Sequence, residues 1–470
     1  MVRAVRFFIA GLGAVGRRFL GLIVSQEGLL AARYGLRLVL VGAADSSGAA
    51  LDAQGLDAAR LVALKEAGQG AAAYPGAGCK GLAVRQALAG GQVDLLVEAL
   101  PTNLRDGEPG LGCIRDALGQ GLPVVTASKG PLVLAYQELS AAARRAGVRL
   151  AFSAAVAGGL PTVNLGRRDL AGSTILRVEG IFNSTTNYIL TTMAEEGLSF
   201  EEALGEARQR GIAEADPSLD VDGWDAAAKL VIVANSVLCR PTTLADVEIT
   251  GIRGVTPEDL AQAARAGRAV KLLALAERAG GDYRLSVRPT ALAADHPLAR
   301  LRPWEMGVRY STDTMGVIYA VIDEPDPLPT AAAVLRDVID LFAPLGVGGS
   351  GADRFARADC GAPAQGNCPH PYPRPHCSGG GETGKWGCWR AAKPPANTPK
   401  KGSPLPRVRG SGDGAAPANR GRVREFCNLS APEGLGARDW RLGQIRPTQH
   451  ATRLTLDARR TGGTCFVPSA

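Results

Sequence analysis

Residues 11–16 read GLGAVG; the apolar run VRFFIAG leads into them and a helical pattern follows. Strand, glycine loop and helix in that order form a dinucleotide-binding unit. In such a unit Gly11 permits the tight turn, Gly13 lets the backbone approach a pyrophosphate, and Gly16 lets helix pack on strand. The amides around Gly13, Ala14 and Val15 would face the phosphates, with the helix dipole behind them. Asp45 ends the second apolar strand, LRLVLVGAAD, where a carboxylate can hold a ribose 2′-hydroxyl. A strand–helix turn with no ligand is the alternative. NAD and NADP both stay open.

The alternation continues to about residue 150. VDLLVEAL (93–100) reads as a strand, and IRDALGQGLPVVTASKG as helix, turn, strand. Unbroken apolar strands between helices predict an α/β, Rossmann-type parallel sheet covered on both faces over residues 1–150. From 151 to 305 longer helical patterns dominate, including TNYILTTMAEEG, WDAAAKLVIVANSVL and PEDLAQAARAGRAVKLLALAERAG, with strands such as RLSVRPTAL arriving late. That predicts a second, α+β domain. TAAAVLRDVIDLFAPLG is a last helix, and the segment ~305–346 is expected to complete the first domain.

Beyond 346 the chain is rich in Gly, Pro and Arg without periodicity, too poor in apolar surface to offset chain entropy. Residues 347–470 are expected to be disordered, and a frame-shifted or read-through extension is the leading explanation. Charge is skewed in the same way. The chain carries +8, yet residues 351–470 alone hold 19 Lys/Arg against 8 Asp/Glu, so residues 1–350 are mildly acidic. A nucleic-acid-binding role read from the total would therefore rest on the tail. Three scattered cysteines (Cys79, Cys113, Cys239) before residue 350 suit a reduced compartment. MVRAVRFFIA has too short an apolar part for a signal peptide and runs into the glycine loop. No run reaches the ~18 apolar residues of a membrane span. The cytoplasm follows as the default.

His296 is the only histidine before residue 350, so acid–base work falls to Lys, Asp, Glu or Tyr. Lys129, in VVTASKGPL, ends a strand, and in open α/β sheets those ends face the ligand crevice. EALPTN (98–103) would bring Thr102 and Asn103 to the same edge. GIAEADPSLDVDGWDAAAKL (211–230) crowds Glu214, Asp216, Asp220, Asp222 and Asp225 around Lys229. Asp225 and Lys229 are i,i+4 neighbours, which an ordinary surface pair with Asp222 as helix cap would also explain. Such acids would raise a lysine's pKa, the wrong direction for a general acid near neutral pH. They make sense holding a cationic group of the substrate while the lysine handles a proton.

With these motifs the sequence resembles the homoserine dehydrogenases. GLGAVG, EALPTN, VVTASKGPL, AAVAGGLPTVN, GIFNSTTNYIL, the acidic stretch, DHPLAR and PTAAAVLRDVIDL follow the family's order over about residues 3–345. The most specific pattern is Glu214, Asp216, Pro217, Asp220, Gly223, Asp225 and Lys229. The resemblance implies NAD(P)-dependent interconversion of L-homoserine and L-aspartate 4-semialdehyde, a step of amino-acid biosynthesis. It implies Lys229 and Lys129 as acid–base groups and Glu214, Asp225, Asp220 and Thr185 around the substrate. Ser128 and Lys129 would join Thr102 and Asn103 at the cofactor. The backbone of Val156, Gly158 and Leu160 would hold a monovalent cation, usually sodium. A homodimer or homotetramer is implied, with a small-molecule substrate and neither nucleic acid nor membrane as partner. The chain resembles the short form, without a regulatory domain. Three features depart from the family: Ser153 stands where many members have a cation-binding glutamate, NST replaces N-G-T, and DEPDPLPT replaces a glycine-rich segment near the cofactor. The rival readings are a related amino-acid semialdehyde dehydrogenase and a catalytically impaired dinucleotide-binding sensor or scaffold.

Overall fold

The structure, a computed structural model, describes residues 2–90 and 92–343. These lie in one of the chain's two units, Met1–Gln365. The second unit, Gly366–Ala470, and every expectation for 347–470 lie outside the described residues.

The first sheet is built on the buried apolar runs. It contains β1 (Arg3–Ala10), β2 (Leu36–Asp45), β3 (Gly48–Leu51), β4 (Gly78–Lys80), β5 (Leu95–Glu98), β6 (Val124–Thr126) and β7 (Leu150–Ala151), in the order β4-β3-β2-β1-β5-β6-β7. β2, β1, β5, β6 and β7 pair in parallel, while β3 and β4 add an antiparallel edge that the apolar pattern did not announce. The chain leaves β1 towards β2 on one side and later returns to β5 on the other. The crevice at that reversal lies beyond the strands' C-terminal ends, where such sheets bind ligands. Helix α1 (Ala14–Ser25) springs from this edge, and α2 (Gly130–Arg145) begins right after β6 and Lys129. The pattern read as one helix up to Gly35 is two, broken at Gln26 and ended by Gly35 in left-handed backbone at φ 62°.

The second sheet runs β13-β12-β8-β10-β11-β9, from β8 (Ile175–Ile181), β9 (Val247–Ile249), β10 (Arg268–Ala279), β11 (Asp282–Ala293), β12 (Glu305–Thr312) and β13 (Val317–Asp323). All its pairs are antiparallel except β9 with β11. One face shares a core with α3 (Ser184–Glu196) and α4 (Trp224–Ser236), through Tyr188, Ile189, Val231, Leu272, Val308 and Tyr310.

Two expectations change. PEDLAQAARAGRAVKLLALAERAG is a helix only over Pro257–Arg265; left-handed Gly267 then turns the chain into β10. β10 lies between β8 and β11, and its consecutive residues Lys271, Leu272, Leu273 and Ala274 are all buried. A strand covered on both faces does not alternate, and Ala, Leu and Lys favour helices, so periodicity misread it. Residues 305–323, assigned to the completion of the first domain, belong to the second sheet. Only α5 (Leu328–Phe342) returns, placing Ala331, Val334 and Val338 in the core with Phe7 and Phe19.

Lys271 is 3% exposed, and its ammonium donates to Asn187 Oδ1 at 2.7 Å, Thr191 Oγ1 at 2.9 Å and the Leu301 carbonyl at 3.0 Å. Burial pulls its pKa down to about 8, against smaller opposing effects of Glu195 and Glu305. The folded chain therefore disfavours the charged form, so Lys271 costs stability below that value and the cost disappears as pH rises towards the free lysine value of about 10.4. In urea melts the wild type should gain about 2 kcal/mol on Lys271→Met between pH 7.5 and pH 10.

Candidate active site

The glycine loop makes the expected tight turn, with one change of partner. Gly11 sits at φ 102°, and a Cβ there would run into the Ala99 carbonyl at the tip of the β5 connection. Gly16 is needed because a Cβ would collide with the Gly11 carbonyl, inside the loop itself. Gly13 is the N-cap of α1 and faces open space, with no side chain capping the helix, and Ala14 and Val15 form its first turn. A backbone cradle open at Gly13, at the uncapped start of a helix, fits a dinucleotide's pyrophosphate.

Asp45 is not an open ribose acceptor. Its Oδ1 accepts the Ser47 amide (2.9 Å) and hydroxyl (2.6 Å), and its Oδ2 accepts Lys65 Nζ (2.8 Å) and the Ala71 amide (3.2 Å). Burial alone would raise this carboxyl, but Lys65 and Ser47 outweigh it and hold it below its usual value. The carboxylate closes the β2–β3 turn.

At the neighbouring strand ends, Asn103 folds its side chain into its own loop, donating to Asp106 Oδ1 (2.6 Å) and the Glu108 carbonyl (3.0 Å) and accepting the Arg105 amide (2.9 Å). Half-buried Thr102 precedes it. Ser128 is buried and its hydroxyl lies 2.7 Å from Glu98 Oε1 and 2.7 Å from the Leu100 carbonyl. Glu98 also accepts the Thr126 hydroxyl (2.5 Å) and the Leu100 amide (2.9 Å). Burial pushes its carboxyl up, against those hydrogen bonds. This acid was not singled out in the sequence, although a glutamate inside the apolar run LLVEAL is a signal. It ties the β5 and β6 tips together one residue before Lys129.

The acidic stretch separates into distinct roles. Asp216 caps the Ser218 amide (3.1 Å), and Asp222 pairs with Arg253 instead of capping α4, whose N-cap is left-handed Gly223. Glu214 is exposed and makes no hydrogen bond or ion pair among the described residues. Asp220 and Asp225 turn inward. Asp225 Oδ2 accepts Lys229 Nζ at 2.6 Å and Asn183 Nδ2 at 2.9 Å, while its Oδ1 lies 3.3 Å from Lys129 Nζ. Lys229 also donates to the Phe182 carbonyl at 2.5 Å. Two lysines, one from the end of the first sheet and one from a helix of the second layer, thus share one carboxylate whose side chain is 12% exposed. Burial opposes ionisation of Asp225, but the two ammoniums, then the hydrogen bonds from Lys229 and Asn183, hold it far below the usual carboxylate range. Asp220, bonded to Asn183 at 2.7 Å, moves the other way: burial and then the charge of Asp225 raise it, against Asn183 and the lysines.

Asn183 is the second residue that sequence reasoning missed. Its amide donates to both acids, and its carbonyl oxygen caps α3 through the Thr186 amide (2.8 Å). Its signal was there, an asparagine heading the helical run STTNYIL. Thr185, in the first turn of α3, is nearly buried, its hydroxyl 3.4 Å from the Ile212 carbonyl.

The loop with Val156, Gly158 and Leu160 does not fit the expected cation at its acidic corner. Ser153 is buried, with its amide and hydroxyl both on Asp337 (2.8 and 2.5 Å), and Arg336 Nη2 lies 3.1 Å from that hydroxyl. A guanidinium already supplies positive charge there, and the Leu160 carbonyl accepts the Thr162 amide at 2.8 Å.

The chain is similar to known proteins along most of its described length. The family model described as homoserine dehydrogenase matches residues 161–339. The homoserine dehydrogenase of Methanocaldococcus jannaschii is 37% identical over 334 residues, 71% of this chain and 97% of that protein. The NAD(+)-dependent homoserine dehydrogenase of Pseudomonas canavaninivorans is 36% identical over 335 residues, 71% of this chain and 95% of that one. Among solved structures, the Thiobacillus denitrificans homoserine dehydrogenase superposes with TM-score 0.63 at 30% identity, covering 73% of this chain and 74% of that one. A hyperthermophilic archaeal homoserine dehydrogenase in complex with NADPH gives TM-score 0.63 at 26% identity, covering 72% and 98%. With nearly the whole of the archaeal and pseudomonad proteins matched at over a third of positions, the chain belongs to the homoserine dehydrogenase family.

Proposed function

We propose that this chain interconverts L-homoserine and L-aspartate 4-semialdehyde with NAD or NADP, using Lys229 and Lys129 as its proton-handling groups. The observation that carries the reading is the pair of lysines from two layers converging on buried Asp225. Gly11, Gly13 and Gly16, with the open first turn at Ala14 and Val15, would hold the dinucleotide, which when bound exchanges a hydride with the reacting carbon. As charge grows on the substrate oxygen, a lysine ammonium stabilises it and delivers the proton; in the other direction the neutral lysine takes it back. Asp225, expected as a substrate contact, better serves as the anchor of both lysines because both its oxygens are engaged. The substrate ammonium then falls to Asp220 and Glu214. Asp220 is destabilised by burial and by Asp225, and an arriving cation would relieve both. Thr185 borders this pocket from α3. The impaired-sensor reading loses its support, since both lysines and both inward acids are in place. The cytoplasmic expectation belongs to the same proposal, and no described helix is long and apolar enough to cross a membrane.

A homodimer suits the surface. β13 is an edge strand whose outward residues Val317, Tyr319 and Val321 are 51%, 57% and 42% exposed. An apolar open edge of this kind calls for a covering partner.

Three outcomes test the proposal. Following nicotinamide absorbance, L-homoserine should drive reduction of NAD⁺ or NADP⁺, and Lys229→Ala should retain dinucleotide binding while losing turnover by roughly 100-fold or more; no reduction of either cofactor ends the reading. Asp225→Asn leaves two ammoniums facing one another and should cost about 3 kcal/mol in urea unfolding at pH 7. Because the folded carboxyl is held below its ordinary value, the stabilisation is complete above about pH 4 and fades as pH falls through the folded value, so wild type and variant should converge in acid. Tyr319→Lys should shift the particle mass in light scattering from dimer towards monomer.

A further inference from the structure

The connection from β13 to α5 lies against the loop that follows β7. Glu324 accepts the Gly159 amide through Oε2 at 2.9 Å and the Thr330 hydroxyl through Oε1. The contact leaves no room for a side chain at Gly158 or Gly159. A Cβ on Gly158 (φ 56°) would collide with the Glu324 carboxylate, and one on Gly159 with Ile322 and Pro329. On the far side of the loop, Ser153 is bonded through its amide and hydroxyl to Asp337 of α5, with Arg336 against the hydroxyl. Val156 and Leu160 are fully buried in the same cluster as Leu132 and Val133, in the first turn of α2 just after Lys129. The connection also carries Asp326, 4.0 Å from Arg18 on α1. It therefore touches both the loop beneath the Lys129 helix and the helix of the glycine loop.

We propose that Glu324 is a positioning residue that fastens the 156–160 loop by hydrogen bonds, together with the Ser153–Asp337–Arg336 cluster, in place of a bound alkali cation. An ion would bring positive charge and oxygen coordination to this loop. Here the loop offers Glu324 an amide, the corner at 153 is a hydroxyl held between the Asp337 carboxylate and the Arg336 guanidinium, and the Leu160 carbonyl accepts the Thr162 amide. The fastening is thus part of the chain itself, supplied by the segment that departs from the family pattern. Sodium and potassium have no structural task left at this loop, and turnover does not depend on them.

Glu324→Gln separates a hydrogen-bonding strap from a cation ligand. An amide can accept the Gly159 N–H through its oxygen and donate to the Thr330 hydroxyl through its nitrogen, but it carries no charge with which to hold an ion. The full-length protein and the variants Glu324→Gln and Glu324→Ala are dialysed into choline chloride. Each is then titrated with sodium or potassium chloride at constant ionic strength, with Tm, kcat and dinucleotide KM recorded. The wild type should keep its turnover and Tm in choline, and neither should respond to alkali ions. Glu324→Gln should stay within about twofold of wild type, whereas Glu324→Ala should lower Tm and lose about tenfold or more in kcat/KM, without rescue by either ion. The proposal is overturned if wild-type Tm or turnover falls in choline and returns saturably with sodium or potassium, if Glu324→Gln is as damaged as Glu324→Ala, or if Glu324→Ala matches wild type. The inference rests on the proposed activity only for the turnover readout. Tm tests the fastening even if homoserine is not the substrate.

Discussion

One buried carboxylate organises the candidate site. Asp225 is reached by Lys229 from its own helix and by Lys129 from the end of the first sheet, so two layers with separate cores meet on one charge. A carboxylate with so little exposure is tolerable only because its lone pairs are filled by ammoniums and by the Asn183 amide. The lysines in turn gain fixed positions from a group that cannot move without exposing an unpaired charge. The electrostatics of the cluster and its geometry are therefore one constraint.

That constraint spreads outward through polar connectors. Asn183 fixes the spacing of Asp220 and Asp225 while starting α3. Glu98 binds the tips of β5 and β6 to each other immediately before Lys129. Glu324 presses the 156–160 loop from the connection that leads into α5. Each connector is a polar side chain from one segment satisfying polar groups of another, and a half-satisfied network would cost more than an apolar contact. The acids of the 211–230 stretch thus have different tasks: capping at Asp216, surface pairing at Asp222, and interior charge only at Asp220 and Asp225.

Much of this was legible locally. GLGAVG after an apolar strand announced the loop and its helix, and Lys129 at the end of VVTASKG announced a group at the sheet's edge. Asp225 and Lys229 were legible as a helical pair because i and i+4 share a face. β10 was not legible, because a strand covered on both sides loses its period-two signature and RAVKLLALAERA has helical composition. Asp45 was assigned to a ribose because its place at the end of β2 is visible in sequence, whereas Lys65 and the Ser47 turn that occupy it are not. Ser128 was placed at the cofactor by the resemblance, whereas its hydroxyl is bonded to Glu98 and the Leu100 carbonyl.

By itself the sequence determined the elements whose signals are local: the glycine loop, the apolar strands of the first sheet and the spacing of acid to lysine along one helix. The tertiary structure alone decided which acids face inward, that Lys129 and Lys229 share a partner 96 positions from the first and four from the second, and that Glu324 lies on a loop 165 residues away. The reason is physical. Helix period and turn chemistry act over a few residues, while charge pairing and burial depend on distances in space that only the packing of the two sheets sets.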